Sequence, residues 1–558
     1  MVICLFSTTT FWGEGVRIGE DIGGQVKSSL QWINGEVNIL NNMVQPLRKD
    51  LAIDHSNWSL RPPGAAVLPA IGMVLGLSLG QSIKIGLFLC SITGGLGWIL
   101  LFERFNISKH LIFVLTIMLG LKCGTSINQF GTANIILFAV APWFIILSLN
   151  ISDRFGNAKL SLGGYLGIAL FLFTVGCFAW VKLSGLIVAG TIGASLFFML
   201  LKKQGSSQRN KFILLFTLCG LFFWSPFFLL EKINYNKTGI TADQLYSAND
   251  SDIQAPLFGK FWAESTKDAW LTWSLLASPG YSLPAKGIAH AIRDFGIQFI
   301  EFNNWLSRNS VNAHVLLCGI LGILFSVLLV VQFRSCSFKF SLDCRILLIC
   351  FFTFPFIGLA ILAFKYEWNY LLYHAHTYEF WLIICVPTFV AFSTGNSSKI
   401  PTVTLLGVII AIPTSKSIEK LASSIFEPKN KFISTTEKER GLSSSRFSNA
   451  IEYIENDSVN DLDIIFFLPA GDMGDLVLRS KMRTLATHFA GGNFPQLSHF
   501  KTSKDLNIYL AYDKELVEIP EFMQAISNKF QNALSEKTIL KEGIFVHKIK
   551  LIPSLSAS

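Results

Sequence analysis

The sequence predicts a polytopic α-helical membrane protein, mainly α in class, followed by a small C-terminal α/β domain. Three observations predict it. Hydrophobic residues make up 51% of the 558 residues and charged residues only 15%, with a mean hydropathy of +0.48, whereas soluble globular chains carry about 25% charged residues. Apolar stretches long enough, or nearly so, to cross about 30 Å of hydrocarbon as helices recur between residues 85 and 414. Basic residues fall in short loops that alternate with those stretches.

Spans are predicted at 85–102, 110–126, 132–149, 160–180, 183–201, 212–230, 313–332, 346–364, 378–394 and 400–414. The stub Met1–Trp12 reads as the outer half of one more, giving about 11 spans and implying a start upstream of Met1. A signal peptide is the other reading, although the stub lacks a basic n-region. The net charge of +9 does not point to nucleic acid, because the basic residues are confined to loops. Arg104 and Lys109, then Arg154 and Lys159, then Lys202, Lys203, Arg209 and Lys211, then Arg334, Lys339 and Arg345 alternate correctly if all four loops face the cytoplasm. Residues 122–131, 231–312, 365–377 and everything after 414 then lie outside. The chain is thus a multi-pass protein of the plasma or inner membrane, with its C-terminal domain on the outer side.

Ala65–Gly80 is apolar, yet counting it as a span would put the basic loops on the wrong side. It is short and carries Gly72, Gly76 and Gly80 along one helical face, so it reads as a re-entrant or surface-lying helix. All ten cysteines fall in the stub, the spans or the loop holding Cys336 and Cys344, so the outer regions have no disulfide and no Cys-based metal site.

The transmembrane domain covers 1–414. Its first outer loop, 13–83, contains an amphipathic segment in which Val26, Leu30 and Ile33 share a face resting on the membrane. Its large outer loop, 231–312, interleaves polar residues with aromatics such as Trp262, Trp270 and Trp273 and reads as a cover lying on the bilayer, or as a plain structural cap. The soluble domain, 415–558, begins with a Ser/Thr/Lys-rich linker or mobile loop at Lys429–Ser448. Strands follow at Asp463–Leu468, Leu506–Tyr512 and Gly543–Leu551, with helices at Asp475–Phe489 and Met523–Leu534, predicting a small sheet with helices on one face.

Chemistry points to the first outer loop. Asp21 follows Glu20 and precedes Gly23-Gly24, which permit close backbone approach. A carboxylate at an outer surface suits a general base for an incoming hydroxyl, or simply caps a helix N-terminus. Gly35 lies fourteen residues beyond Asp21, Arg61-Pro62-Pro63-Gly64 follows, and the next apolar segment ends in Gly80-Gln81-Ser82. This pattern resembles the first outer loop of GT-C-type glycosyltransferases, a superfamily that includes protein mannosyltransferases, oligosaccharyltransferases and aminoarabinose-type lipid A transferases. The alternation of spans, the outer loop ahead of the last spans and the outer C-terminal domain extend the resemblance.

The resemblance implies transfer of a sugar from a polyprenyl-phosphate donor to an acceptor on the outer face. Asp21 would be the general base, with Glu20 in reserve. Departure of a phosphate calls for positive groups rather than a general acid. Arg61, His55, Lys122, Lys365, His374 and His376 are the outer-facing candidates. His374-Ala-His376 suits a phosphate contact, ordinary interface polarity or, with Glu367 or Glu379, a metal. The second acidic residue often found in the superfamily is replaced here by the segment 126–132, where Asn128 or Gln129 could hydrogen-bond a sugar but could not bind metal strongly. A metal cofactor is therefore doubtful, and no metal ligand is assigned. The partners implied are membrane lipid, the lipid-linked donor and an acceptor of unspecified kind. A polytopic lipid or sugar transporter, or a catalytically silent GT-C-like scaffold, remains the alternative.

Overall fold

A computed structural model describes residues 15–18, 22–23, 26, 64, 67–105, 129–130, 133–155, 161–182, 185–238, 432–458, 463–468, 476–486, 506–517, 537–539 and 543–551, with further helical positions between 109 and 116 and between 343 and 351. The short strand β1 (Arg17–Ile18) precedes a helical hairpin made of α1 (Val67–Val74) and α2 (Leu79–Arg104). Eight residues of α1 rise only about 12 Å, too little to cross the bilayer. A Cβ at Gly72 would meet Ser82 and one at Gly86 would meet Leu68, so α1 lies antiparallel against the first turns of α2. The segment 65–80 is therefore a short hairpin arm that does not cross, as the charge count requires. Its glycines do not share one helical face: Gly76 makes the turn at φ 84°, and Gly80 already belongs to α2. Ser78 starts α2 with a capping box, its hydroxyl accepting from the Gln81 N–H while its own N–H donates to the Gln81 side chain.

Strand β2 (Gln129–Phe130) leads into α3 (Asn134–Phe155), followed by α4 (Leu162–Gly176), the single turn α5 (Phe178–Val181), α6 (Gly185–Lys203) and α7 (Ser206–Thr238). Among the described residues, five helical stretches are long and apolar enough to span a membrane. Each coincides with a predicted span, and the predictions at 313–332, 378–394 and 400–414 lie outside the described residues. Inside a bilayer no water replaces a lost backbone partner, so each proline must find a substitute. Pro142 in α3 cannot donate to the Phe138 carbonyl, and the Trp98 indole of α2 donates there at 3.2 Å. Pro226 in α7 likewise frees the Phe222 carbonyl, and the Ser225 hydroxyl takes it at 2.8 Å.

The four basic loops meet in space. Lys203 donates to Asp343 at 2.6 Å and to Ser152 Oγ at 2.9 Å, while Arg104 pairs with Asp153. At least one residue from each loop thus enters a single polar cluster, placing all four loops at one end of the bundle, hereafter the basic end.

Beyond the membrane helices, α8 (Thr435–Arg440) and α9 (Ser448–Asp457) lead into β3 (Ile464–Leu468), β4 (Arg483–Ala486), β5 (Leu506–Asp513), the turn α10 (Lys514–Val517), β6 (Lys537–Ile539) and β7 (Ile544–Leu551). The five strands form one mixed sheet in the order β4-β3-β5-β7-β6, with β3 parallel to β4 and β5, and β7 antiparallel to both β5 and β6. Three corrections follow. The predicted helix 475–489 is instead a single 3-10 turn at Leu476–Leu478 and the strand β4. The sheet is not covered on one face only, since every residue of β3 is buried, as in strands with both faces packed. Nor is Lys429–Ser448 a bare linker: from 432 onward it is ordered by a buried ion pair, with Glu437 accepting from Arg479 at 2.6 Å when the two side chains are 0% and 3% exposed. The predicted helix Met523–Leu534 lies outside the described residues.

Both charges are withdrawn from water, so removing one strands the other. Arg479→Met is expected to destabilise the C-terminal unit by about 3–5 kcal/mol, whereas adding Glu437→Met to it should recover much of that loss. Denaturation followed by hydrogen exchange in β3 and β5 measures both. In a background lacking the native cysteines, Lys202→Cys and Lys109→Cys should react with impermeant thiol reagents from one side of the membrane and Tyr453→Cys only from the other.

Candidate active site

At the end of α2 away from the basic cluster, several stretches remote in sequence converge. Val16, Ile18, Ile22 and Val26 of the first loop are all buried, packed with Leu79, Ile83 and Leu87 of α2, Phe130 and Ala133 ahead of α3, and Leu442 and Leu478 of the C-terminal unit. Val26 therefore faces the protein interior and not the membrane surface, because α2 presents an apolar wall at that height. Arg17 and Ile18 pair in parallel with Gln129 and Phe130, joining the loop that carries Asp21 to the loop that carries Asn128. Ile18 and the helical residue Ile22, which flank positions 19–21, are only 3% and 1% exposed.

Gly64, the last residue of Arg61-Pro62-Pro63-Gly64, reaches the same end. A Cβ at Gly64 would lie 2.5 Å from the Trp180 carbonyl oxygen and 3.0 Å from the Val181 Cα, so only glycine fits against the last turn of α5. Trp180 is itself fixed, its indole donating to the Pro226 carbonyl at 2.8 Å. Val181 packs against the cluster that holds Ile18 and Ile22. The next residue, Lys182, ends α5 in an extended conformation with its ammonium nitrogen buried. Asn134, 4% exposed, opens α3 beside Ala133 with its amide group inside the protein. Close by, burial pulls the Arg440 guanidinium below its ordinary value, while Glu455 and Glu439 oppose that shift.

Neither Lys182 nor Asn134 was singled out by sequence reasoning. A signal for Lys182 existed: it is the sole basic residue between the spans 160–180 and 183–201, at the end opposite the basic loops. Asn134 gave no such signal, since a lone amide at a span boundary is ordinary. Asp21, Glu20, His55, Arg61, Lys122, Asn128, Lys365, His374 and His376 lie outside the described residues. What the structure brings together are chain neighbours of several of them: Ile18 and Ile22 beside Asp21, Gly64 beside Arg61, and residues 129–130 beside Asn128. Among the described residues, no group of three or more His, Cys, Asp or Glu side chains could hold a metal ion.

No family model matches the sequence, and no curated protein matches it. Solved structures do resemble it. The Archaeoglobus fulgidus oligosaccharyltransferase, crystallised with Zn and sulfate, superposes with a TM-score of 0.50 at 13% identity, covering 98% of this chain and 72% of that one. ArnT from Cupriavidus metallidurans bound to undecaprenyl phosphate gives 0.46 at 12% identity, covering 100% and 98%. The same protein in the apo state gives 0.44 at 10% identity, covering 98% and 96%. The chain is thus an integral membrane protein with a GT-C-like fold, similar to that of the archaeal oligosaccharyltransferase.

Gly64→Ala is expected to cost about 1–3 kcal/mol, because backbone atoms on α5 cannot yield to the new methyl group. Gly167→Ala, whose Cβ would meet nothing within 4 Å, serves as the control and should leave thermal unfolding of the purified protein unchanged.

Proposed function

We propose that this chain is a membrane glycosyltransferase that moves a sugar from a polyprenyl-phosphate-linked donor to an acceptor on the outer face. One observation carries the reading: within a GT-C fold, the chain on either side of Asp21, the glycine that ends Arg61-Pro62-Pro63-Gly64, and the Lys182 turn all converge on the end of the bundle away from the basic loops. With the basic loops in the cytoplasm, that end faces outward, where soluble nucleotide sugars are out of reach and a lipid-linked donor is the available kind. The C-terminal α/β unit, docked at the same end, then lies outside as well.

In this mechanism Asp21 takes the proton from the acceptor hydroxyl as it attacks the anomeric carbon, and the polyprenyl phosphate departs with inversion at the sugar. Charge grows on the leaving phosphate. Lys182 supplies a fixed positive charge at this end, where low dielectric strengthens its effect on a developing anion. Arg61, three residues before Gly64, is the second candidate, and His55, Lys122, Lys365, His374 and His376 are further ones. Asn134 and Asn128 offer amides for sugar hydroxyls, and the mechanism requires no metal step.

Membranes containing the natural acceptors, given a panel of undecaprenyl-phosphate-linked hexoses and pentoses, test this by release of undecaprenyl phosphate. Asp21→Asn should lower turnover about 100-fold or more, the usual contribution of a general base, and Lys182→Met about 100-fold, comparable to removing an oxyanion donor. Full turnover in Asp21→Asn would sink the base assignment, whereas no turnover by the parent protein with any donor of the panel would leave a transporter or a silent scaffold as the reading.

A further inference from the structure

The first loop is held by the C-terminal unit through its backbone. The Val16 N–H donates to the Gly441 carbonyl at 3.1 Å, and the Ser443 N–H donates to the Val16 carbonyl at 3.2 Å, so Val16 and Leu442 form a parallel bridge. One residue further on, Arg17 and Ile18 pair with Gln129 and Phe130. Residues 441–443, 16–18 and 129–130 thereby make a three-membered strip in which the first loop is the middle member. A middle strand with partners on both edges has little freedom to shift register.

The outer member of the strip is itself fixed twice. Arg479 donates to the Ser443 carbonyl at 2.5 Å while paired with buried Glu437. Gly441, at φ 69° where it ends α8, lies directly against the start of α2, so that a Cβ on Gly80 would sit 2.0 Å from the Gly441 carbonyl oxygen. That oxygen is the one that accepts from Val16. A methyl group at Gly80 would therefore push against the atom that holds the first loop.

We propose that the C-terminal unit is a positioning element for the first loop, with Gly80 and Gly441 as the residues that set its seat and Arg479 as the side chain that locks it. Resting on the reading of Asp21 as the base, this gives the docked unit a role in orienting residues 19–21, which follow the strip directly. Bringing the unit onto α2 completes the site, and displacing it misaligns the base while leaving donor contacts at the α5 turn in place.

Gly80→Ala is a discriminating variant, since alanine is the better helix former and α2 itself should not suffer. Hydrogen exchange on the full-length protein in detergent should then be at least tenfold faster at residues 16–18 and 441–443, with Gly167→Ala unchanged. In the undecaprenyl-phosphate sugar assay, Gly80→Ala should lower kcat about tenfold or more with the donor KM within twofold of the parent. Arg479→Met, reaching the strip from the other side, should give the same split, and Arg479→Lys, which keeps a cation beside Glu437, should recover part of kcat. Unchanged exchange at 16–18 in Gly80→Ala, or faster exchange with kcat intact, overturns the proposal. If Asp21→Asn retains full turnover, the base reading falls by itself, and the exchange result still decides whether the C-terminal unit holds the first loop.

Discussion

The close approach of two backbones at the start of α2 governs everything at that end of the molecule. Only a pair of glycines allows the Gly441 carbonyl to come against Gly80, and the same carbonyl accepts from Val16. Larger residues would separate α2 from the C-terminal unit and would separate both from the first loop. The α1–α2 hairpin serves this contact too: its turn at Gly76 and the capping box at Ser78 fix where α2 begins, and so place Gly80 against the Gly441 carbonyl. Behind the contact, the Glu437–Arg479 pair trades solvation for fixed geometry, the Arg479 guanidinium reaching both its carboxylate and the Ser443 carbonyl.

At the opposite end, charge does the organising. Lys203, Asp343, Ser152, Asp153 and Arg104 form a network of hydrogen bonds and ion pairs across four loops. The more exposed of these pairs contribute little stability, since solvent screens them. Asp343, only 7% exposed, is different: Lys203 and Ser152 both donate to the same carboxylate oxygen. The bundle is thus pinned by side-chain charge at one end and by backbone contact at the other, with proline-freed carbonyls satisfied in between by Trp98 and Ser225.

These two kinds of restraint explain what was legible in the sequence. Charge alternation is a one-dimensional signal, and it found the loops that the structure brings together. Hydropathy found the described spans for the same reason, as did the apolar runs of β3, β5 and β7. Contacts between remote backbones leave no such trace. The Ser/Thr/Lys-rich composition around 435–445 reads as a loop because nothing local reveals that Glu437 meets Arg479, 42 residues away. The misread helix at 475–489 has a related cause: its apolar residues suit either period, and pairing with β3 at Ile464–Phe467 decided for strand. In the site, the pattern from Asp21 to Gly80-Gln-Ser was visible, whereas Lys182 and Asn134 matter only through where α5 and α3 begin and end.

A fold shared at 13% identity is physically reasonable, because membrane helices demand apolar surface and packing rather than particular side chains. The fold therefore says little about activity by itself. What narrows the activity is the placement of polar groups at one end. The Lys182 ammonium nitrogen is buried there, where α5 ends. The described part of the first loop, clamped between residues 129–130 and 441–443, reaches the same end from the other side. The turn that carries Lys182 and the first loop are thus held at one end of the bundle by separate restraints, the first by the Gly64 and Trp180 contacts and the second by backbone pairing on both edges.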